Sequence, residues 1–133
     1  MFRTVMEVNV DAQLRIYAAL LPELLKNKGA VLWMSSGVGR YGVPRYGAYS
    51  VSKFAVEGLN ALAHAENADA GLVSVAVAPG MVQTDMLRVA RGSDDVSAFT
   101  PPEVAAAQFV RLVVAVHERG AALAGKSIDV DAF

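Results

Sequence analysis

Apolar residues recur at three- and four-residue steps from position 4 to position 26. Met6, Val10, Leu14, Tyr17, Leu21 and Leu24 share one face, which predicts a helix that Gly29 can stop. Pro22 should kink its last turn. The period then changes. Ala30–Met34 reads A-V-L-W-M, a continuous apolar run expected of a buried strand. A loop rich in Gly, Pro and Tyr covers residues 37–47, and a second helix is predicted over 48–68, with Ala55, Leu59, Leu62 and Ala63 on one face. After Gly71, L-V-S-V-A-V-A is a second strand, closed by Pro79-Gly80. Residues 83–99 are polar and carry no clear period. Thr100-Pro101-Pro102-Glu103 has the form of a capping box with proline in the first turn, so a third helix is predicted from there to about Gly120. Residues 126–130 form a last short strand.

Helix followed by strand, three times over, implies parallel strands joined by helical crossovers, an α/β sheet with helices on its faces. Ligands in such open sheets sit beyond the carboxyl ends of the strands. Those ends carry Ser35-Ser36, Pro79-Gly80 and the region of Asp129, and functional chemistry is expected there.

At 133 residues the chain is one domain's worth and can bury a core. Its formal net charge of -1, with basic residues scattered, argues against nucleic acid or an anionic membrane as a partner. No apolar run approaches the roughly 18 residues of a membrane span, and no signal-peptide pattern opens the chain, so a cytoplasmic protein is expected. The absence of cysteine excludes disulfides and thiolate metal sites. His64 and His117 have no metal-ligand spacing and read as helix-surface residues; no metal is expected. Hydrophobic residues make up 54% before glycine is counted, above the ~45–50% usual with glycine included. Both faces of the sheet are covered, or some apolar surface awaits a partner.

Gly37, Gly39 and Gly42 spell a G-x-G-x-x-G, which invites a dinucleotide-binding reading. That fingerprint requires a loop that opens directly into a helix, and an acidic residue ~20 positions on, at the end of the next strand. Here residues 43–47 intervene before any helix, and Glu57 lies inside the predicted second helix. The glycines are better explained as a flexible run between Ser36 and Tyr49.

The flanking residues carry more. Tyr49 and Lys53 are four apart at a helix start and share one face. A phenol ordinarily titrates near 10, and a nearby ammonium favours the phenolate, which makes such a pair a proton donor and acceptor. The spacing alone is equally that of an ordinary surface pair. Ser36 ends the preceding strand, where its hydroxyl could donate to a carbonyl oxygen that Tyr49 also protonates. The run from Pro79 to Thr84 leaves the next strand with exposed backbone and a hydroxyl suited to an amide-bearing ring.

W-M-S-S-G, then Y-S-V-S-K, then A-P-G-M-V-Q-T, in this order and on these elements, resembles the short-chain dehydrogenase/reductase family. The resemblance runs from the first helix to the final strand. It implies a Rossmann-like parallel sheet and an NAD(P)-dependent oxidoreductase that moves a hydride between nicotinamide and an alcohol or carbonyl. Tyr49 would be the catalytic acid/base. Lys53 would support it and bond the nicotinamide ribose, and Ser36 would polarise the carbonyl. Asn9, in E-V-N-V, matches the family's helix asparagine, which bends the helix and holds a water in a proton relay; otherwise it is a tolerated polar residue. Pro79, Gly80, Val82 and Thr84 would contact the nicotinamide. Ser36, Tyr41, Val43 and Tyr46, with residues 85–99 as the family's mobile loop, would shape the substrate pocket.

The sequence departs from the family in lacking T-G-x-x-x-G-x-G and N-A-G, and in ending D-A-F where D-G-G is usual. It is therefore expected to be a single partial domain over 1–133, the C-terminal catalytic half, without the half that binds the nucleotide phosphates. NAD or NADP binding is expected to be weak, turnover of the isolated chain low, and the first strand's edge unpaired. Homo-oligomers are expected through helices 4–26 and 48–68. The alternative is a non-catalytic fragment that serves as an interaction module.

Overall fold

The computed structural model describes residues 1–132; Phe133, the last residue of D-A-F, lies outside them. The first helix is longer than predicted and is not uniform. Helix α1 (Phe2–Met6) leads through a π-helical turn (Glu7–Asp11) into α2 (Ala12–Lys26), which passes through Pro22. Strand β1 (Ala30–Met34) follows, then a 3-10 turn (Gly37–Gly39), helix α3 (Gly47–Asn67) and strand β2 (Val73–Ala78). Helices α4 (Asp85–Arg91) and α5 (Pro102–Leu123), strand β3 (Ser127–Asp129) and a closing 3-10 turn (Val130–Ala132) complete the order.

The strands form one parallel sheet in the order β1-β2-β3. Ala30 pairs with Val73 and Met34 with Val77, while Ala76 pairs with Ser127 and Ala78 with Asp129. Helices cover both faces because β2 is apolar on both: successive side chains of a strand point to opposite sides. On one side Ala76 packs with Tyr17, Trp33, Val56, Ala63 and Leu72, joining β2 to α2 and α3. On the other, Val75 and Val77 pack with Leu112, Val116, Ile128 and Val130, beneath α5. Strand β1, predicted as a buried strand, is not one; β2 is buried instead, from Ser74 to Ala78. In β1 only Trp33 is buried, because β1 pairs with β2 alone among the described residues.

Two predicted features differ. The capping box does not form: Thr100 is drawn into a parallel bridge with Val82, donating its N–H to Met81 and accepting from Gln83, and Pro101 takes the N-cap position. The stretch after Gln83 is not plain loop. Thr84 caps α4 by accepting from the Leu87 N–H at 3.2 Å, and Gly92 closes it at φ 64°, a conformation glycine adopts freely. These are short-range signals that the polar composition of residues 83–99 hid. No helix is long and apolar enough to cross a membrane among the described residues.

Candidate active site

At the carboxyl end of β1 the chain turns back onto α3. Ser36 is half-buried and extended, and its hydroxyl takes no protein partner among the described residues. The Gly37–Gly39 turn that follows is not a flexible run. Gly39 is buried, and a Cβ there would stand 2.7 Å from the carbonyl carbon and oxygen of Lys53. The Ser50 hydroxyl donates to the Val38 carbonyl at 2.6 Å. Glycine lets the turn touch the helix backbone, and so the segment carrying Ser36 is seated on the turn of α3 that carries Tyr49 and Lys53.

Lys53 is buried, 8% exposed, and its ammonium donates to the Met34 carbonyl at 2.8 Å. Burial lowers its pKa from the ordinary lysine range. The same ammonium lies 5.4 Å from the centre of the Tyr49 ring. The Tyr49 hydroxyl has no protein partner among the described residues, and the Tyr46 ring stands 6.3 Å from the Tyr49 ring. Tyr41 is exposed, its hydroxyl end above Gly37; Val43 is half-buried.

Asn9 lies within the π-helical turn, not in regular α-helix. Its side-chain amide donates to the Ser52 hydroxyl at 3.0 Å, and Ser52 donates to the Tyr49 carbonyl at 2.7 Å. The Asn9 carbonyl accepts from the Gln13 side chain at 2.6 Å. The wider π turn thus ties α1 and α2 to α3 through polar contacts. Asn9 thereby contacts α3 at Ser52, one residue before Lys53.

Pro79 and Gly80 leave the end of β2, with Gly80 at φ 74°. Val82 is half-buried in the bridge to Thr100, and Thr84 is exposed at the α4 cap. Its oxygen accepts there, so its O–H proton is left free to donate. Residues that sequence reasoning did not single out complete the arrangement. Gln13 pairs with the Met34 peptide, its Oε1 accepting from the Met34 N–H at 2.9 Å. Glu57 accepts from Ser35 just beyond β1, from Ser127 of β3 and from Arg40. Glu57, set aside in the sequence as a dinucleotide acid because it falls inside a helix, lies one helical turn beyond Lys53. A groove of about 740 Å³ opens at the other, amino ends of the strands, lined by Lys28, Gly29, Gly71 and Leu72, and contains none of the residues predicted for catalysis. His64, predicted on the surface, packs beneath Gly125, with a buried Nδ1 that has no partner among the described residues.

The family model for short chain dehydrogenases matches residues 1–94. An uncharacterized oxidoreductase of Escherichia coli K12, YciK, is 49% identical over 59 residues, covering 44% of this chain and 23% of that protein. The NADPH-dependent pterin aldehyde reductase of Arabidopsis thaliana is 32% identical over 114 residues, 85% of this chain and 46% of that one. A short chain dehydrogenase from Shigella flexneri solved with NADP is 31% identical with a TM-score of 0.85, over 98% of this chain and 53% of that chain. With its α/β fold, parallel sheet and these similarities, the chain belongs to the short chain dehydrogenase family. It spans about half the length of the solved structures it matches.

Proposed function

We propose that this chain carries the catalytic set of an NAD(P)-dependent oxidoreductase acting on a carbonyl or alcohol. The observation that carries the reading is the buried Lys53 ammonium beside Tyr49, with the Ser36 turn packed against the Lys53 backbone. In this reading Tyr49 donates a proton to the carbonyl oxygen, or accepts one from an alcohol. Ser36 donates a hydrogen bond to the same oxygen and fixes its direction. Lys53 holds positive charge beside the phenol, and Asn9 braces the start of α3 through Ser52.

The residues present suit the nicotinamide end of a dinucleotide: a buried ammonium, hydroxyls at Ser36 and Tyr49 that have no partner among the described residues, and the turn after β2. When bound, that group would supply or take the hydride. Lys53 and Tyr49 would hold its ribose, and Pro79, Gly80, Val82 and Thr84 its ring. The NADPH-dependent reductase and the neighbour solved with NADP support a nicotinamide nucleotide. Tyr41, Val43 and Tyr46 would line the substrate side. A small-molecule carbonyl or alcohol and a second copy of the chain are the proposed partners.

Fluorescence titration with NADH and NADPH tests the reading. Weak saturable binding, reduced by Lys53→Met, is expected, together with slow turnover of aldehydes or ketones that Tyr49→Phe abolishes. A chain that binds neither nucleotide saturably would overturn it.

A further inference from the structure

Tyr49, Lys53 and Glu57 follow one another at four-residue steps on α3, so all three lie along one stripe. The first two meet the site. Glu57, with its side chain only 17% exposed, faces the ends of two strands. One of its oxygens, Oε1, accepts from the Ser35 hydroxyl at 2.5 Å, from the Ser127 hydroxyl at 2.9 Å and from Arg40 Nε at 3.4 Å. Arg40 extends the cluster, donating to Asp129 at 2.9 Å and to the Ile128 carbonyl at 3.1 Å.

Ser35 immediately precedes Ser36, and Arg40 immediately follows the Gly37–Gly39 turn. The Glu57 carboxylate therefore grips both ends of the segment that carries Ser36, and ties that segment to α3 and β3 together. Charge-assisted bonds in a half-buried setting are the stronger kind, and a hub shared by three donors fixes direction as well as distance. We infer that Glu57 is a positioning residue: its carboxylate sets where the Ser36 hydroxyl stands relative to Tyr49. The inference rests on the reading of Ser36 and Tyr49 as a catalytic pair.

Amide hydrogen exchange by NMR on the full chain tests it, with Glu57→Gln and Ser35→Ala as variants. The Gly39 and Arg40 amides, which close the turn onto Ser36 and Gly37, report the segment. The buried Val75 and Val77 amides of β2 report the whole fold. Exchange at Gly39 and Arg40 should rise about tenfold in both variants, the loss of roughly one net hydrogen bond, with β2 unchanged. The Arg40 Nε–H resonance should also exchange faster in Glu57→Gln. Where the wild-type chain turns over, Glu57→Gln should lower kcat and leave KM for NADPH in place. Wild-type exchange at the turn in both variants, or a rise shared equally by β2, would overturn the assignment. A wild-type chain without turnover counts against the catalytic pair, and the exchange data still decide whether Glu57 holds the turn.

Discussion

The Lys53 ammonium donates to the carbonyl oxygen of Met34, 2.8 Å away, so the last peptide of β1 is bound by the helix that crosses it. The same carbonyl faces the Gln13 side-chain amide at 3.4 Å. One backbone oxygen at the end of an edge strand thus meets groups from both helices on that face.

Holding this ammonium in the fold has a consequence for pH. Burial lowers the Lys53 pKa, so between that value and the unfolded value of about 10.4 the unfolded chain binds more protons than the folded one. Stability attributable to Lys53 must therefore rise with pH across that window, and the cost of the buried charge is fully present below it. Urea unfolding of wild type and Lys53→Met, from neutral pH to the lysine range, checks this. The wild type should gain on the variant as pH rises; a pH-independent difference would refute it.

Gly39 has no room for a side chain. Gly39→Ala drives a Cβ into the Lys53 backbone and should destabilise the chain by about 1–3 kcal/mol, the usual cost of overpacking. Gly42→Ala meets nothing within 4 Å and should stay within about 0.5 kcal/mol of wild type. Denaturant midpoints compare the two. Equal effects would mean that the turn is not seated on α3 in solution.

Apolar side chains remain outside both cores. Ile16 and Leu20 on α2, and Val51, Phe54 and Leu62 on α3, are each about half exposed or more, on helices of the same sheet face. Self-association through these helices, as proposed, should make sedimentation concentration-dependent. Ile16→Asp and Phe54→Asp should each shift the distribution toward monomer without altering the circular dichroism of the fold. A wild-type chain that sediments as monomer at every concentration would sink the idea.

Much of this architecture was legible along the chain because its signals are local. The three- and four-residue steps of α2 and α3, the apolar runs of β1 and β2, and the Tyr49–Lys53 spacing each lie within a few turns of backbone. The capping box at Thr100 misled because a partner eighteen residues earlier, Val82, competed for the same backbone groups. The glycine run misled in another way. Its composition suggested only a flexible link, whereas one of its glycines, Gly39, is the point where the turn touches the Lys53 backbone.

The sequence by itself determined the α/β class, the direction of the strands and the helical face on which Tyr49 and Lys53 stand. Those follow from periodicity and from the helical crossovers that join successive strands. Only the tertiary structure decided that Asn9 occupies a π turn bonded to Ser52, that Gly39 touches the Lys53 backbone, and that Glu57 joins Ser35, Arg40 and Ser127. Each joins residues well apart in sequence, across elements whose relative placement is set by burying both faces of β2. No short-range pattern encodes such a distance.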